Sequence, residues 1–102
     1  MDPEIIPDGL YDLKVFTIET RTSQATGRQY YAVTWEIESP PYEGQYLFQA
    51  LLDSDKASWV WKDVVVHPLD LILDTDVTAE VRQEEYQGKR RNQVGKLHPR
   101  VS

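Results

Sequence analysis

The chain has 102 residues, of which 40% are hydrophobic and 27% charged, a composition typical of one globular domain with a net charge of −6. It contains no cysteine and only two histidines, which excludes disulfides, thiolate zinc sites, cysteine nucleophiles and histidine-rich metal sites. No apolar run approaches the roughly 18 residues of a membrane-spanning helix, and no apolar signal core follows the acidic N-terminus, so we expect neither a membrane protein nor a secreted one.

The first predicted strand starts near residue 10 with apolar side chains at every second position, Tyr11, Leu13 and Val15. This alternation is typical of a strand with one buried face. At Phe16 the apolar phase shifts by one residue, so that Phe16 and Ile18 become the apolar positions. A shift inside one strand predicts a β-bulge or a sharp coil, which lets a single strand serve two faces of a small barrel.

Two further strands are predicted at 28–38 and 45–52, after segments of turn-forming residues at 22–27 and 39–44. The second strand has the clearest alternation, with four large apolar residues on one face: Tyr31, Val33, Trp35 and Ile37. In the third strand one face carries Tyr46, Phe48 and Ala50, and the other carries Leu47, Gln49 and Leu51.

The apolar period then changes to one of three to four residues, which predicts a short helix over 56–66 with candidate N-cap residues at 53–55. The alternative is a strand at 64–66, because its three valines are mediocre helix formers. Pro68 ends the element in either case. A fourth strand at 77–86, a turn at 87–91 and a fifth strand at 92–101 complete the chain.

The predicted fold class is all-β with one short helix, in the order β-β-β-α-β-β. For a chain of this length, that order is typical of the OB-fold, a five-stranded Greek-key barrel, although other five-stranded α+β arrangements share it. We expect one domain over residues 1–102 with flexible ends at 1–7 and 99–102. The predicted core comprises Tyr11, Leu13, Val15, Val33, Trp35, Ile37, Val81 and Val94.

The charge is distributed unevenly along the chain. Residues 1–81 contain five basic and fifteen acidic residues, and residues 82–102 contain six basic and two acidic ones. Such asymmetry points to a nucleic acid or another anionic partner. The alternative is that a basic C-terminal strand neutralises an acidic body within the same fold.

An OB-fold binds its ligand on the face around strands 2 and 3, beside the loops that join strands 1 to 2 and strands 4 to 5. In this chain both predicted loops are flanked by cations, and aromatic residues lie near them, as binding of a single-stranded nucleic acid requires. The predicted binding residues are Arg28, Tyr30, Tyr46, Arg82, Tyr86, Lys89, Arg90, Arg91 and Asn92, with Arg21 at the other end of the first loop. The alternatives are that Tyr30 is a plain surface aromatic, that the 89–91 run is a solvated tip and that one of Tyr46 and Phe48 is core.

The remaining polar patterns do not suggest catalysis. One of Trp59 and Trp61 is expected in the core and the other over the barrel end or at a partner contact. His67, before Pro68, is expected to cap a helix end, and the acidic residues at 70–76 lack the spacing of a calcium loop. No nucleophile is paired with a base, so we expect a protein that is not an enzyme and has no metal or cofactor.

Several short motifs together resemble a group of small bacteriophage proteins. The motifs are Ile6-Pro7-Asp8-Gly9-Leu10-Tyr11, Thr26-Gly27-Arg28-Gln29-Tyr30, Trp35-Glu36-Ile37, Tyr42-Glu43-Gly44-Gln45 and Tyr86-Gln87-Gly88-Lys89-Arg90-Arg91-Asn92-Gln93-Val94. The resemblance covers residues 6 to about 97, and members of the group are regarded as OB-fold proteins that bind single-stranded DNA and are encoded beside replication and recombination genes. This chain departs from many single-strand binders because it lacks an extended acidic tail.

The residues and the resemblance lead to the same hypothesis, a non-catalytic protein of phage replication or recombination that coats single-stranded DNA. RNA is the alternative nucleic acid, and the cytoplasm of the infected bacterium is the expected location. A homodimer or cooperative assembly would raise affinity by repetition. The alternative function is an acidic protein-interaction module, with a replication or recombination protein as the partner of its acidic surface.

Overall fold

A computed structural model of the chain describes residues 5–71 and 75–100. Its five strands are β1 (Gly9–Thr22), β2 (Gln29–Ile37), β3 (Tyr46–Leu51), β4 (Asp76–Tyr86) and β5 (Lys89–Pro99). Two short 3₁₀ turns, Ser58–Val60 and Pro68–Asp70, lie between β3 and β4. The all-β prediction is confirmed.

The five strands form one antiparallel sheet in the order β3-β2-β1-β4-β5. The sheet is open in its backbone pairing, with β3 and β5 as its two edges, but these edges contact each other. The side chain of Gln49 on β3 spans them, because its Nε2 donates to the carbonyls of Val94 and Gly95 at 3.0 and 3.1 Å. The same side chain accepts a hydrogen bond from the indole Nε1 of Trp35 at 3.0 Å.

The bulge predicted in the first strand is confirmed at Phe16. Val15 pairs with Trp35 and Thr17 pairs with Thr34, so Phe16 is the extra residue of β1. Up to Lys14 this strand also pairs with β4, and beyond the bulge it pairs with β2 alone. The bulge therefore turns one long strand from one part of the sheet to another, and it leaves Phe16 46% exposed.

The helix predicted over 56–66 is wrong, and the alternative strand at 64–66 is absent as well. Only the single 3₁₀ turn Ser58–Val60 forms there. Both the hydroxyl and the carbonyl of Ser54 accept the amide of Ala57, which closes a tight turn instead of starting a helix. The three consecutive valines that follow are restricted at χ1, which disfavours extending the turn into an α-helix.

The predicted core is confirmed except at Tyr11, which is half-buried and donates its hydroxyl to the carbonyl of Pro7. Trp35, Leu13 and Ile37 are completely buried. The core also includes residues that the strand pattern did not identify, namely Ile6, Tyr31, Leu47, Leu51, Trp61, Leu71, Val77, Ala79 and Leu97.

Both segments that were expected to be flexible ends contain anchored residues. Ile6 is completely buried, and its amide and carbonyl are both bonded to the side-chain amide of Asn92 at 2.9 Å. The carbonyl of Ile6 also accepts from Gln83 Nε2, and the carboxylate of Asp8 accepts the amide of Gln83. Residues 6–8 are thus fixed across the β4–β5 hairpin. Residues 1–4 and 101–102 lie outside the described part of the chain.

At the other end, Arg100 joins three acidic side chains. It donates to the carbonyl of Leu13 and to the carboxylate of Glu38, both at 2.7 Å, and it lies 3.4 Å from the carboxylate of Asp76. Asp12 is 4.0 Å from its Nε. The hydrogen bond from Arg100 lowers the pKa of Glu38, whereas burial and a hydrogen bond with Glu38 raise the pKa of Asp76.

Candidate nucleic-acid interface

The outward face of β2 and β3 carries a cluster of exposed aromatic rings. Phe48 lies opposite Thr34 and is 71% exposed, and Tyr46 lies opposite Glu36 and is 42% exposed. The ring of Phe16, brought to this face by the bulge, lies 4.8 Å from that of Tyr46 between centroids. The expectation that one of Tyr46 and Phe48 belongs to the core is wrong. Leu47 and Leu51 fill the buried positions of β3, and strand alternation then places both aromatics outside.

The first predicted loop contributes less free charge than its sequence suggests. Arg21 lies on β1 opposite Tyr30, and its guanidinium donates to Glu19 through both Nε and Nη2, at 3.2 and 2.8 Å. This hydrogen bond to Glu19 is the main reason why the pKa of Arg21 is raised. Arg28 is exposed and forms no ion pair with a carboxylate in the described part of the chain. Tyr30 is half-buried beside Arg21.

A shallow cavity of about 410 Å³ lies on this face. Its lining comes from β1, β2 and β3 and includes Glu19, Arg21, Thr34 and Phe48. The floor is formed largely by small or β-branched side chains, so a flat ligand would lie against Phe48 with Arg21 beside it.

The turn predicted at 87–91 is wrong, and the basic run lies in a strand. Tyr86 pairs directly with Lys89, which leaves only Gln87 and Gly88 in the turn, at φ values of 52° and 79°. Two successive residues at positive φ are what a type I′ hairpin requires, and glycine adopts this conformation without strain. Because β5 therefore starts at Lys89, the side chains of Lys89, Arg90 and Arg91 alternate between its two faces.

The three cations of this run have different surroundings. Arg91 is ion-paired with Glu84 directly across the hairpin at 2.6 Å. Arg90 donates to the side-chain oxygen of Gln83 at 2.9 Å and has no carboxylate partner among the described residues. Lys89 and Arg82 are exposed and likewise form no ion pair with a described carboxylate.

Part of the C-terminal positive charge is neutralised within the fold. Lys96 is paired with Asp63 at 3.0 Å and Arg100 with Glu38 at 2.7 Å, in addition to the Arg91 pair. The cations that remain for an anionic ligand are therefore concentrated at Arg82, Lys89 and Arg90, on the β4–β5 hairpin.

Two predicted site residues do not contribute a described contact surface. Both polar groups of the Asn92 side chain bind Ile6, so its evident role is to fix the N-terminal segment. The backbone of Tyr86 closes the hairpin, but its side chain lies outside what the structure describes.

A second, larger groove of about 1070 Å³ lies where the sheet edges β3 and β5 approach each other. Tyr46 and Phe48 line it from β3, residues 89–91 line it from β5, and Trp59 lines it from the 3₁₀ turn. Phe48 belongs to both the groove and the shallow cavity, so the two form one continuous surface. Sequence reasoning left Phe16, Phe48 and Trp59 out of the site. The signals were present, because Phe16 marks the phase shift and Phe48 shares the strand face of Tyr46.

The surface offers stacking and ionic contacts. In residues 5–71 and 75–100, no cluster of three or more acidic, histidine or cysteine side chains is arranged to hold a metal ion. The same residues contain no helix long and apolar enough to cross a bilayer. Comparison with protein-family models and with curated proteins finds no match. The resemblance to phage single-strand-binding proteins thus remains a prediction.

Proposed function

We propose that this protein is a non-catalytic, OB-fold protein that binds single-stranded DNA in phage replication or recombination. The observation that carries the proposal is the continuous surface on which the exposed rings of Tyr46 and Phe48 lie beside the cations of the β4–β5 hairpin. Single strands expose base faces that stack on aromatic rings, and their phosphates need nearby cations. Duplex DNA hides its base faces, so this surface favours single strands.

The sheet topology supports the OB-fold part of the proposal. In the order β3-β2-β1-β4-β5 with the edge strands in contact, every strand has two neighbours, as in a partly open Greek-key barrel. The ligand face of such a barrel surrounds strands 2 and 3 and the hairpin of strands 4 and 5. The exposed rings and the free cations of this chain lie in the corresponding places.

Electrostatics restricts where the strand would run. Residues 1–81 carry fifteen acidic and five basic residues, so most of the surface repels a polyanion. Attraction must then come from a few local cations, of which Lys89 and Arg90 line the groove. Each phosphate that is neutralised lowers the slope of log affinity against log salt by about 0.7 for a single strand.

The proposal is tested by fluorescence anisotropy of labelled oligo-dT over a salt series. Phe48→Ala should weaken binding by about 1–3 kcal/mol, the value of one lost base stack. Leu10→Ala is the matched control, because Leu10 is 64% exposed but lines neither cavity. The double variant Lys89→Ala/Arg90→Ala should flatten the salt slope by up to about 1.4. Lys56→Ala/Lys62→Ala removes the same charge elsewhere and should leave this slope nearly unchanged.

The second candidate is a protein-interaction module, which is favoured by three exposed aliphatic residues in an acidic segment. Leu52, Val66 and Leu69 are 46%, 90% and 53% exposed, and Asp53, Asp55 and Asp70 lie among them in sequence. Such a surface suits a basic partner protein. This candidate expects no oligo-dT binding even at low salt, so the anisotropy titration separates the two functions.

A further inference from the structure

The three tryptophans of the chain have different environments. Trp35 is completely buried, and Trp61 is 6% exposed and donates its indole N–H to the carbonyl of Leu52 at 3.0 Å. Trp59 is 53% exposed. Burial of a large ring is strongly favourable in a folded domain, so a half-exposed tryptophan on the wall of a groove marks a contact surface.

Trp59 is held in place by its neighbours along the chain. The amides of Trp61 and Lys62 both bond the carbonyl of Ser58, and the hydroxyl of Ser58 donates to the carbonyl of Asp55. Buried Trp61 anchors the turn on one side. On the other side, Asp63 pairs with Lys96 of β5, and this pair lowers the pKa of Asp63. The exposed ring is thus presented beside β5 by an anchored turn.

The surroundings of Trp59 indicate what kind of ligand it would take. The groove that it lines also carries Tyr46 and Phe48, and these three rings are accompanied by Lys89 and Arg90. A purely apolar protein partner would leave the two cations without a use. A nucleotide strand, by contrast, has a flat base for the ring and a phosphate for the cation, and Trp offers the largest stacking surface of any side chain.

We propose that the groove between β3 and β5 is a second nucleobase site, in which a base of single-stranded DNA stacks on Trp59. This inference rests on the proposed function and extends it beyond the outward face of β2 and β3. A bound strand would pass over Phe48, which belongs to both cavities, and place one base against Trp59 while Lys89 and Arg90 contact its phosphates.

Intrinsic tryptophan fluorescence tests this directly, because Trp35 and Trp61 are shielded from solvent. Iodide quenching of the free protein should report Trp59, and unlabelled oligo-dT should both quench this emission and protect it from iodide. Trp59→Ala should weaken oligo-dT binding on the order of 5- to 100-fold, the equivalent of one base stack. Trp59→Phe, which keeps a ring, should retain most of the affinity. Leu69→Ala, on an equally exposed residue of the same connection, should bind like the parent.

The outcomes separate this inference from the proposed function. If the parent binds oligo-dT by anisotropy but its tryptophan emission and the affinity of Trp59→Ala are unchanged, the second site is refuted and the proposed function stands. If the parent does not bind at low salt, both are refuted. If iodide access to Trp59 falls as protein concentration rises without DNA, the groove is filled by a second copy of the chain, which also overturns the inference.

Discussion

The hydrogen bonds of Gln49 make a strong prediction about stability. Gln49→Ala removes the acceptor of the buried Trp35 indole N–H and the donor to the carbonyls of Val94 and Gly95. A buried donor left without a partner costs about 1–3 kcal/mol, and each lost bond to a carbonyl contributes roughly 0.5–1.5 kcal/mol. Since the carbonyls regain some hydration at this partly exposed position, we expect a loss of about 2–4 kcal/mol, a large share of the stability of a small domain.

The assay is equilibrium urea unfolding followed by tryptophan fluorescence. A loss of about 3 kcal/mol lowers the midpoint on the order of 2 M for a slope of about 1.5 kcal/mol/M. Gln93→Ala is the matched control, because Gln93 is an exposed glutamine of β5. In a Trp35→Phe background the indole donor is already gone, so Gln49→Ala should cost at least about 1 kcal/mol less. A Gln49→Ala protein that unfolds within about 0.5 kcal/mol of the parent would refute the reasoning.

Two further predictions concern the anchored ends of the chain. Asn92→Ala should destabilise the fold by about 2 kcal/mol, and the Ile6 amide should lose its hydrogen-exchange protection. An Ile6 amide that stays protected would contradict the role assigned to Asn92. Glu38→Gln should cost about 1 kcal/mol at pH 7, because Glu38 is only partly buried against Arg100. The lowered pKa of Glu38 stabilises the fold above its ordinary pKa, and this stability is lost as pH falls through the lowered value. Urea unfolding between about pH 5 and pH 3 should therefore show a smaller loss in Glu38→Gln than in the parent, although Asp76, with its raised pKa, partly offsets the loss in the parent. Equal losses in the two proteins would show that Glu38 is not responsible.

The sequence by itself determined the strands and their buried faces. Alternation with a period of two is a local property, and it correctly identified Leu13, Val33, Trp35 and Ile37 as core. The shift of that alternation at Phe16 located the bulge, because a one-residue change of phase has no other simple explanation in a continuous strand. The positions of the exposed rings on β3 also follow from the pattern, once Leu47 and Leu51 are taken as the buried pair.

Local patterns failed where two conformations satisfy the same local rules. Residues 56–66 have apolar spacing compatible with a helix, but β-branched residues and the turn closed by Ser54 left only one 3₁₀ turn. At the β4–β5 hairpin, the run of charged residues suggested a long turn. The positive φ of Gln87 and Gly88 allowed a two-residue turn instead, which placed all three cations in a strand.

Only the tertiary structure decided which polar side chains are available for a ligand. Whether Arg91 or Lys96 is free depends on the carboxylate that faces it, and those carboxylates lie 7 residues away for Glu84 and on another element for Asp63. Likewise, Asn92 is engaged by Ile6, 86 residues earlier in the chain. The contact of the edge strands, bridged by Gln49, brings Phe48, Trp59 and Arg90 to one groove. These contacts are long-range and depend on how the sheet coils, a property of the whole fold that no segment of the sequence encodes alone.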